Sequence, residues 1–273
     1  MRCFLALSIW RTALKKTLGL TFLLIGLVTA SAQAQWRYTA LGDSLAAGFN
    51  AVAGYVIRYD VYVTSDTGKT VLLYNLGQPG WKSSDLREAL TSDSTFRYLV
   101  SHSRVITWNI GGNDLLSARR RYKDLVCGGV DNQDCLRSTV VVFKENWDQI
   151  VSKLLELRRE SPGDIRRTLI RTMDIYNPFV AVDSAADSWP NDAGNDFQVL
   201  KPYLDEVNSH IAQSSVANAI PFAPVYLAFN GTDGTEDPRQ KGYISIDGLH
   251  PNDFGHKVMA DLLRSLGYAP LYP

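Results

Sequence analysis

"YTALGDSLAAGFN", residues 38–50, starts as a strand and breaks into small residues where a strand should hand over to a helix. The break carries an acid and a hydroxyl, Asp43 and Ser44. Gly42, Ala46, Ala47 and Gly48 around them permit a sharp turn and close approach of another molecule. A helix beginning there aims backbone N–H groups at the same spot, which suits negative charge. The simpler reading is a helix N-cap, since Asp and Ser are common at such junctions. The stretch alone does not separate the two.

Working outward, short strand-like runs alternate with longer amphipathic segments, the pattern of an α/β domain with a parallel sheet. Strands are expected at 36–41, 71–76, 104–110, 167–176 and 220–229, the last interrupted by Pro224. Helices are expected at 54–68, from Ser83, at 138–160, at 196–218 with Pro202 as a possible kink, and over the last turns from Asn252. The long stretches 116–137, 177–194 and 230–246 read as irregular. All three follow strands, so they gather at the sheet edge where ligands bind.

Three further stretches fall on that same edge. "IDGLHPNDFGH" (246–256) places Asp247 and His250 three residues apart, just before the last helix. A serine is a weak nucleophile until a base takes its proton, and that base is usually a histidine oriented by a carboxylate. "NIGGNDLL" (109–116) brings Asn113 out of the third strand through two glycines. "NLGQPGWKSSDL" (75–86) brings Gly77 and Gly80 out of the second. The Ser44 N–H, a glycine N–H and the Asn113 amide would make three donors for an oxyanion. Each stretch alone reads equally well as an ordinary turn or cap. Together they supply nucleophile, base, orienter and oxyanion donors in one place.

These blocks resemble the SGNH hydrolases, also called GDSL esterases and lipases. "GDSL" (42–45) is similar to the family's first block, with Ser44 as nucleophile. "NLGQPG" resembles the second, whose oxyanion glycine falls on Gly80 by position, with Gly77 as the fallback. "GGND" (111–114) resembles the third, with Asn113 as oxyanion donor, and "DGLHP" (247–251) the fifth, with Asp247 and His250. The blocks span nearly the whole chain after residue 35, in family order. The resemblance implies a three-layer α/β/α sandwich with a flavodoxin-like five-stranded parallel sheet. It also implies ester hydrolysis through an acyl-enzyme on Ser44, with no metal or cofactor. The substrate class it leaves open is a small-molecule, lipid or glycan ester. A carbohydrate O-acetyl esterase would use the same machinery. A glycan- or lipid-binding protein on a dead scaffold is the contrasting reading, which an intact residue set disfavours.

The remaining features concern compartment and partners. Residues 1–34 carry Arg2, Arg11, Lys15 and Lys16, an apolar run at 18–30 and "AQA" at 32–34, the pattern of a secretory signal cleaved near Ala34. An uncleaved anchor is the alternative, although the run is short for a span of ~20 residues. Cleavage leaves a domain at 35–273, expected in the extracellular space or periplasm without stable membrane insertion. It removes four of the 28 basic residues and none of the 28 acidic ones, so the product is mildly acidic and unsuited to nucleic acid. Cys127 and Cys135 in "CGGVDNQDC" read as a local disulfide. The basic run Arg119, Arg120, Arg121 and Lys123 could meet a phosphate but reads more simply as a solvated face. Trp81 could line an acyl pocket or pack in the core. His256 is not expected to be the base. "NGT" at Asn230 is a glycosylation sequon in a host that glycosylates. Oligomeric state is not legible.

Overall fold

In the computed structural model, which describes residues 35–159, 167–191 and 194–271, five parallel strands form one sheet. They are β1 (Trp36–Leu41), β2 (Val71–Asn75), β3 (Val105–Trp108), β4 (Leu169–Met173) and β5 (Phe222–Ala223). Their spatial order is β2-β1-β3-β4-β5, the flavodoxin-like order. The leader expected over residues 1–34 lies outside the described residues.

Alternation along the strands sorts side chains between two faces. In β3, Ile106 and Trp108 join one core cluster, whereas Val105 joins the other. The first cluster is closed by α3 (Ser83–Ser92), α4 (Ser94–Ser101), α6 (Asp134–Arg159) and α8 (Asp196–Asn218). Trp108 meets Trp147 of α6 there, with ring centroids 4.0 Å apart. The second is closed by α2 (Tyr55–Thr67), α9 (Val225–Asn230) and α10 (Asp253–Ser265). The sheet is thus covered on both sides, as an all-parallel sheet requires. Every expected strand exists, and the three-layer α/β/α expectation holds.

Two local readings change. The stretch 116–137 is not all irregular: α5 (Gly112–Lys123) runs through it, leaving 124–133 as loop. The fifth strand is two residues long, and the chain after Pro224 is helical (α9), with the Tyr226 N–H of its first turn donating to Asp174 Oδ1 at 2.7 Å. Pro202 sits inside α8, which remains a single helix. Between them, α1 (Ser44–Ala47) and α7 (Val180–Ser184) are short turns at the upper edge.

Only half of the basic run is a free face. Arg119 grips buried Asp183 with two bonds of 2.8 and 2.5 Å. Lys123 lies 3.5 Å from Asp183 and bonds Asp196, which also accepts from Ser188. These pairs tie α5 to α7 and α8, and leave Arg120 and Arg121 exposed. The loop after α5 is closed by the Cys127–Cys135 disulfide, Cα–Cα 4.8 Å. Asn230 is fully buried, exchanging bonds with the Asn177 main chain, so its sequon presents no side chain to a glycan in the folded state. No helix among the described residues is long and apolar enough to cross a membrane.

Candidate active site

The strand-to-helix handover at residue 42 depends on glycine. Gly42 has φ +137°, and a Cβ there would stand 2.3 Å from the Asn109 carbonyl oxygen. Asp43 then caps α1, its Oδ1 accepting the Leu45 N–H at 2.9 Å and the Asn109 amide at 2.7 Å. Gly48, left-handed, ends the helix after one turn. Ser44 is therefore held at the C-terminal edge of β1 as the first residue of a helix. Its N–H has no acceptor among the described residues.

Asp247 and His250 arrive at the same point from the other end of the chain. Asp247 Oδ1 accepts from the Ser245 hydroxyl (2.6 Å), the Leu249 N–H (2.9 Å) and the His250 N–H (3.0 Å). Its Oδ2 accepts from the Asn50 amide (2.7 Å) and meets His250 Nδ1 at 2.5 Å. Partial burial alone would raise the carboxyl's pKa, but the bonds from Ser245, His250 and the main chain outweigh it and hold the group well below the usual carboxylate range. An ionised carboxylate only accepts, so His250 Nδ1 carries the proton and Nε2 presents a lone pair. Nε2 lies 2.9 Å from Ser44 Oγ. A hydroxyl in that position can lose its proton to the ring as it attacks an electrophile. The Phe49 ring packs 4.8 Å from the imidazole.

Gly80 and Asn113 line an open groove with Ser44 and His250. Gly80 has φ +86°, and its N–H has no acceptor among the described residues. Gly77 differs. Its N–H donates to Asn75 Oδ1 at 3.0 Å, and a Cβ there would strike the α1 backbone at 2.4 Å. Gly77 thus packs α1, and Gly80 faces the groove. Trp81 packs on Phe96 in the core, not in the cavity.

A cavity of about 120 Å³ opens beside Ser44. Leu115, Leu116, Ile175, Phe179, Leu200 and Leu204 make its apolar wall, and Asp43 and Asp174 sit in its floor. Burial pushes both carboxyls up to about 6. His256 lies apart, fully buried on α10. Its Nδ1 accepts the Tyr55 N–H at 3.2 Å, and burial lowers its pKa to about 4. Among the described residues no group of three His, Cys, Asp or Glu is placed to hold a metal ion.

A family model for the GDSL-like lipase/acylhydrolase family matches residues 40–258, which include all the residues assembled here. The chain belongs to the GDSL-like lipase/acylhydrolase family. It is an ester-hydrolysing enzyme. Among its relatives is the spore germination lipase LipC of Bacillus licheniformis, 28% identical over 86% of this chain and 98% of that protein. Among solved structures it is similar to the lipase Lip_vut3 from a goat rumen metagenome. That match has TM-score 0.69 and 27% identity over 86% of this chain and 99% of that one. The acetylxylan esterase Axe2 of Geobacillus stearothermophilus shares the fold, with TM-score 0.54 and 18% identity over 85% of this chain and 94% of its own. The sequence-level resemblance to this family is therefore borne out. Three residues that matter to the geometry, Asn50, Phe49 and Asp174, carry no motif in the sequence. Only the tertiary contacts reveal them.

Proposed function

We propose that the protein is an exported serine esterase that cleaves carboxylic esters with an apolar acyl group through an acyl-enzyme on Ser44. The observation that carries the reading is the 2.9 Å approach of His250 Nε2 to Ser44 Oγ, with Nδ1 held on Asp247. Ser44 Oγ attacks the ester carbonyl while its proton passes to His250 Nε2. The tetrahedral oxyanion is received by the Ser44 N–H, the Gly80 N–H and the Asn113 amide. The imidazolium then protonates the leaving alkoxide, and the alcohol departs. Water, deprotonated by the neutral ring, attacks the acyl carbonyl. Collapse of the second tetrahedral intermediate releases the acid and restores Ser44.

The acyl part fits the cavity beside Ser44. Its about 120 Å³ compares with the ~150 Å³ apolar cavity that admits benzene. That favours a chain of several carbons over acetyl. The carbohydrate O-acetyl esterase reading leans on the open groove, where Lys82, Asn113 and Ser117 offer polar groups to an alcohol. Residues 1–34 as a cleaved signal and the Cys127–Cys135 bridge agree with an oxidising compartment.

Hydrolysis of p-nitrophenyl esters from acetate to palmitate, with Ser44→Ala as the blank, tests the reading. A Ser44-dependent rate that peaks at butyrate or beyond is expected. A rate confined to acetate would move the assignment to the O-acetyl esterase. A folded Ser44→Ala protein with wild-type turnover would sink it.

A further inference from the structure

Gly248 stands between Asp247 and His250 and has φ +70°. Its carbonyl oxygen accepts a 2.6 Å bond from Arg239 Nη2. That carbonyl shares one planar peptide with the Leu249 N–H, which donates to Asp247 Oδ1 at 2.9 Å. The peptide plane is thus pinned at both ends, by a guanidinium on its C=O and by the carboxylate on its N–H. Drawing on the carbonyl also polarises the peptide and strengthens its N–H donor. Glycine is needed at 248: a Cβ would lie 2.9 Å from the same Nη2 and would also strain the backbone.

Arg239 is not held there by an ion pair. No carboxylate pairs with it among the described residues, and its Nε is buried without an acceptor. A buried donor left unmade is costly, and such exceptions call for a local reason. The guanidinium instead leans on the Phe179 ring, 5.6 Å from its centroid. Phe179 lines the apolar cavity and also carries Arg119 at 4.0 Å, itself locked to Asp183. A continuous line of contacts therefore joins the cavity wall to the turn that bears the base.

We propose that Arg239 is a positioning residue: it fixes the 248–249 peptide, and through it the Asp247 carboxylate, in the orientation that His250 needs. The inference rests on the roles of Ser44 and His250 given above. Lysine cannot replace it fully, because an ammonium lacks the planar face that stacks on Phe179 and the fork that reaches the carbonyl.

The full chain and its Arg239→Met and Arg239→Lys variants are compared in two assays. One is the rate of covalent labelling of Ser44 by a fluorophosphonate. The other is kcat and KM on p-nitrophenyl butyrate across about pH 5 to 9. Near-UV circular dichroism reports folding. A misaligned base predicts a fall of roughly 10- to 100-fold in kcat and labelling for Arg239→Met, with KM within about twofold. Arg239→Lys should recover part of the loss, and it serves as the decisive variant if Arg239→Met does not fold. Folded variants with unchanged labelling and kcat would overturn the inference alone, as would a change confined to KM. Wild-type protein that is not labelled at Ser44 would overturn both this inference and the proposed function.

Discussion

Asn113 donates one amide hydrogen to the Trp81 carbonyl, 2.9 Å away, and so joins the loop after β3 to the loop after β2. The bond fixes the amide's orientation and leaves its second hydrogen for the groove that Asn113 lines with Ser44. Removing a preorganised oxyanion donor typically costs 10²–10³ in rate. Asn113→Ala should therefore lose roughly 10²- to 10³-fold in kcat with little change in KM. Steady-state kinetics on a short-chain ester checks this, and a loss seen mainly in KM would remove Asn113 from the oxyanion site.

Asp43 carries a pH-dependent stability cost. Burial raises its pKa from 3.8 to about 6 in the folded protein, despite bonds from Leu45 and Asn109. Below the lower value both states are protonated and nothing is lost. Between the two values the unfolded chain ionises first, so stability falls as pH rises, and the cost is complete above the upper one. The gap corresponds to roughly 3 kcal/mol at neutral pH. Asp43→Asn keeps the accepting oxygen and escapes the titration. Urea unfolding should show it more stable than wild type at about pH 8, with the advantage gone near pH 4. An advantage independent of pH would contradict the assignment.

The cavity wall should set chain-length preference. Leu115 projects from α5 into the apolar space. Leu115→Trp fills part of it, at a packing cost of about 1–3 kcal/mol. Turnover of octanoate and longer esters should fall by at least about tenfold relative to acetate, since each excluded methylene forfeits about 0.8 kcal/mol. An unchanged chain-length profile would place the acyl chain elsewhere.

The pair Arg119–Asp183 is nearly buried, with side-chain exposures of 16% and 2%. Breaking such a pair strands a charge and usually costs 3–5 kcal/mol. Lys123 remains 3.5 Å from Asp183, so Arg119→Met should lose about 3 kcal/mol, the low end of that range. The double variant Arg119→Met, Asp183→Leu should regain most of it in chemical denaturation. A double variant no more stable than the single one would show that stranding the Asp183 charge is not the source of the loss.

The sequence discloses those features whose causes are local. β1, β3 and β4 are short runs rich in apolar and β-branched residues, which is how a strand buried on both faces reads. Ser44, Asn113, Asp247 and His250 come together because the residues that shape each turn stand beside them in the chain. The sequence favours Gly80 over Gly77 only by position in the block; the physical difference, a Cβ at Gly77 striking the α1 backbone where Gly80 has open space, is tertiary. The segment after Pro224 reads as strand because its residues favour one, but it is helical, and the acceptor for its Tyr226 N–H, Asp174 after β4, is remote in sequence. Arg119 and Lys123 read as solvent-facing, like exposed Arg120 and Arg121, because their partners, Asp183 and Asp196, lie 60 residues or more away. Arg239 carries no motif, and its significance is a matter of what its guanidinium touches.

Ser44 and His250 are separated by 206 positions, one on the first helix and one on the turn before the last. No shorter stretch of chain holds both members of this hydrogen-bonded pair. If Ser44 and His250 act as proposed, a refolding chain should hydrolyse esters only once the turn that carries His250 has reached α1. The return of hydrolysis after denaturation would then time the meeting of these two distant parts of the chain.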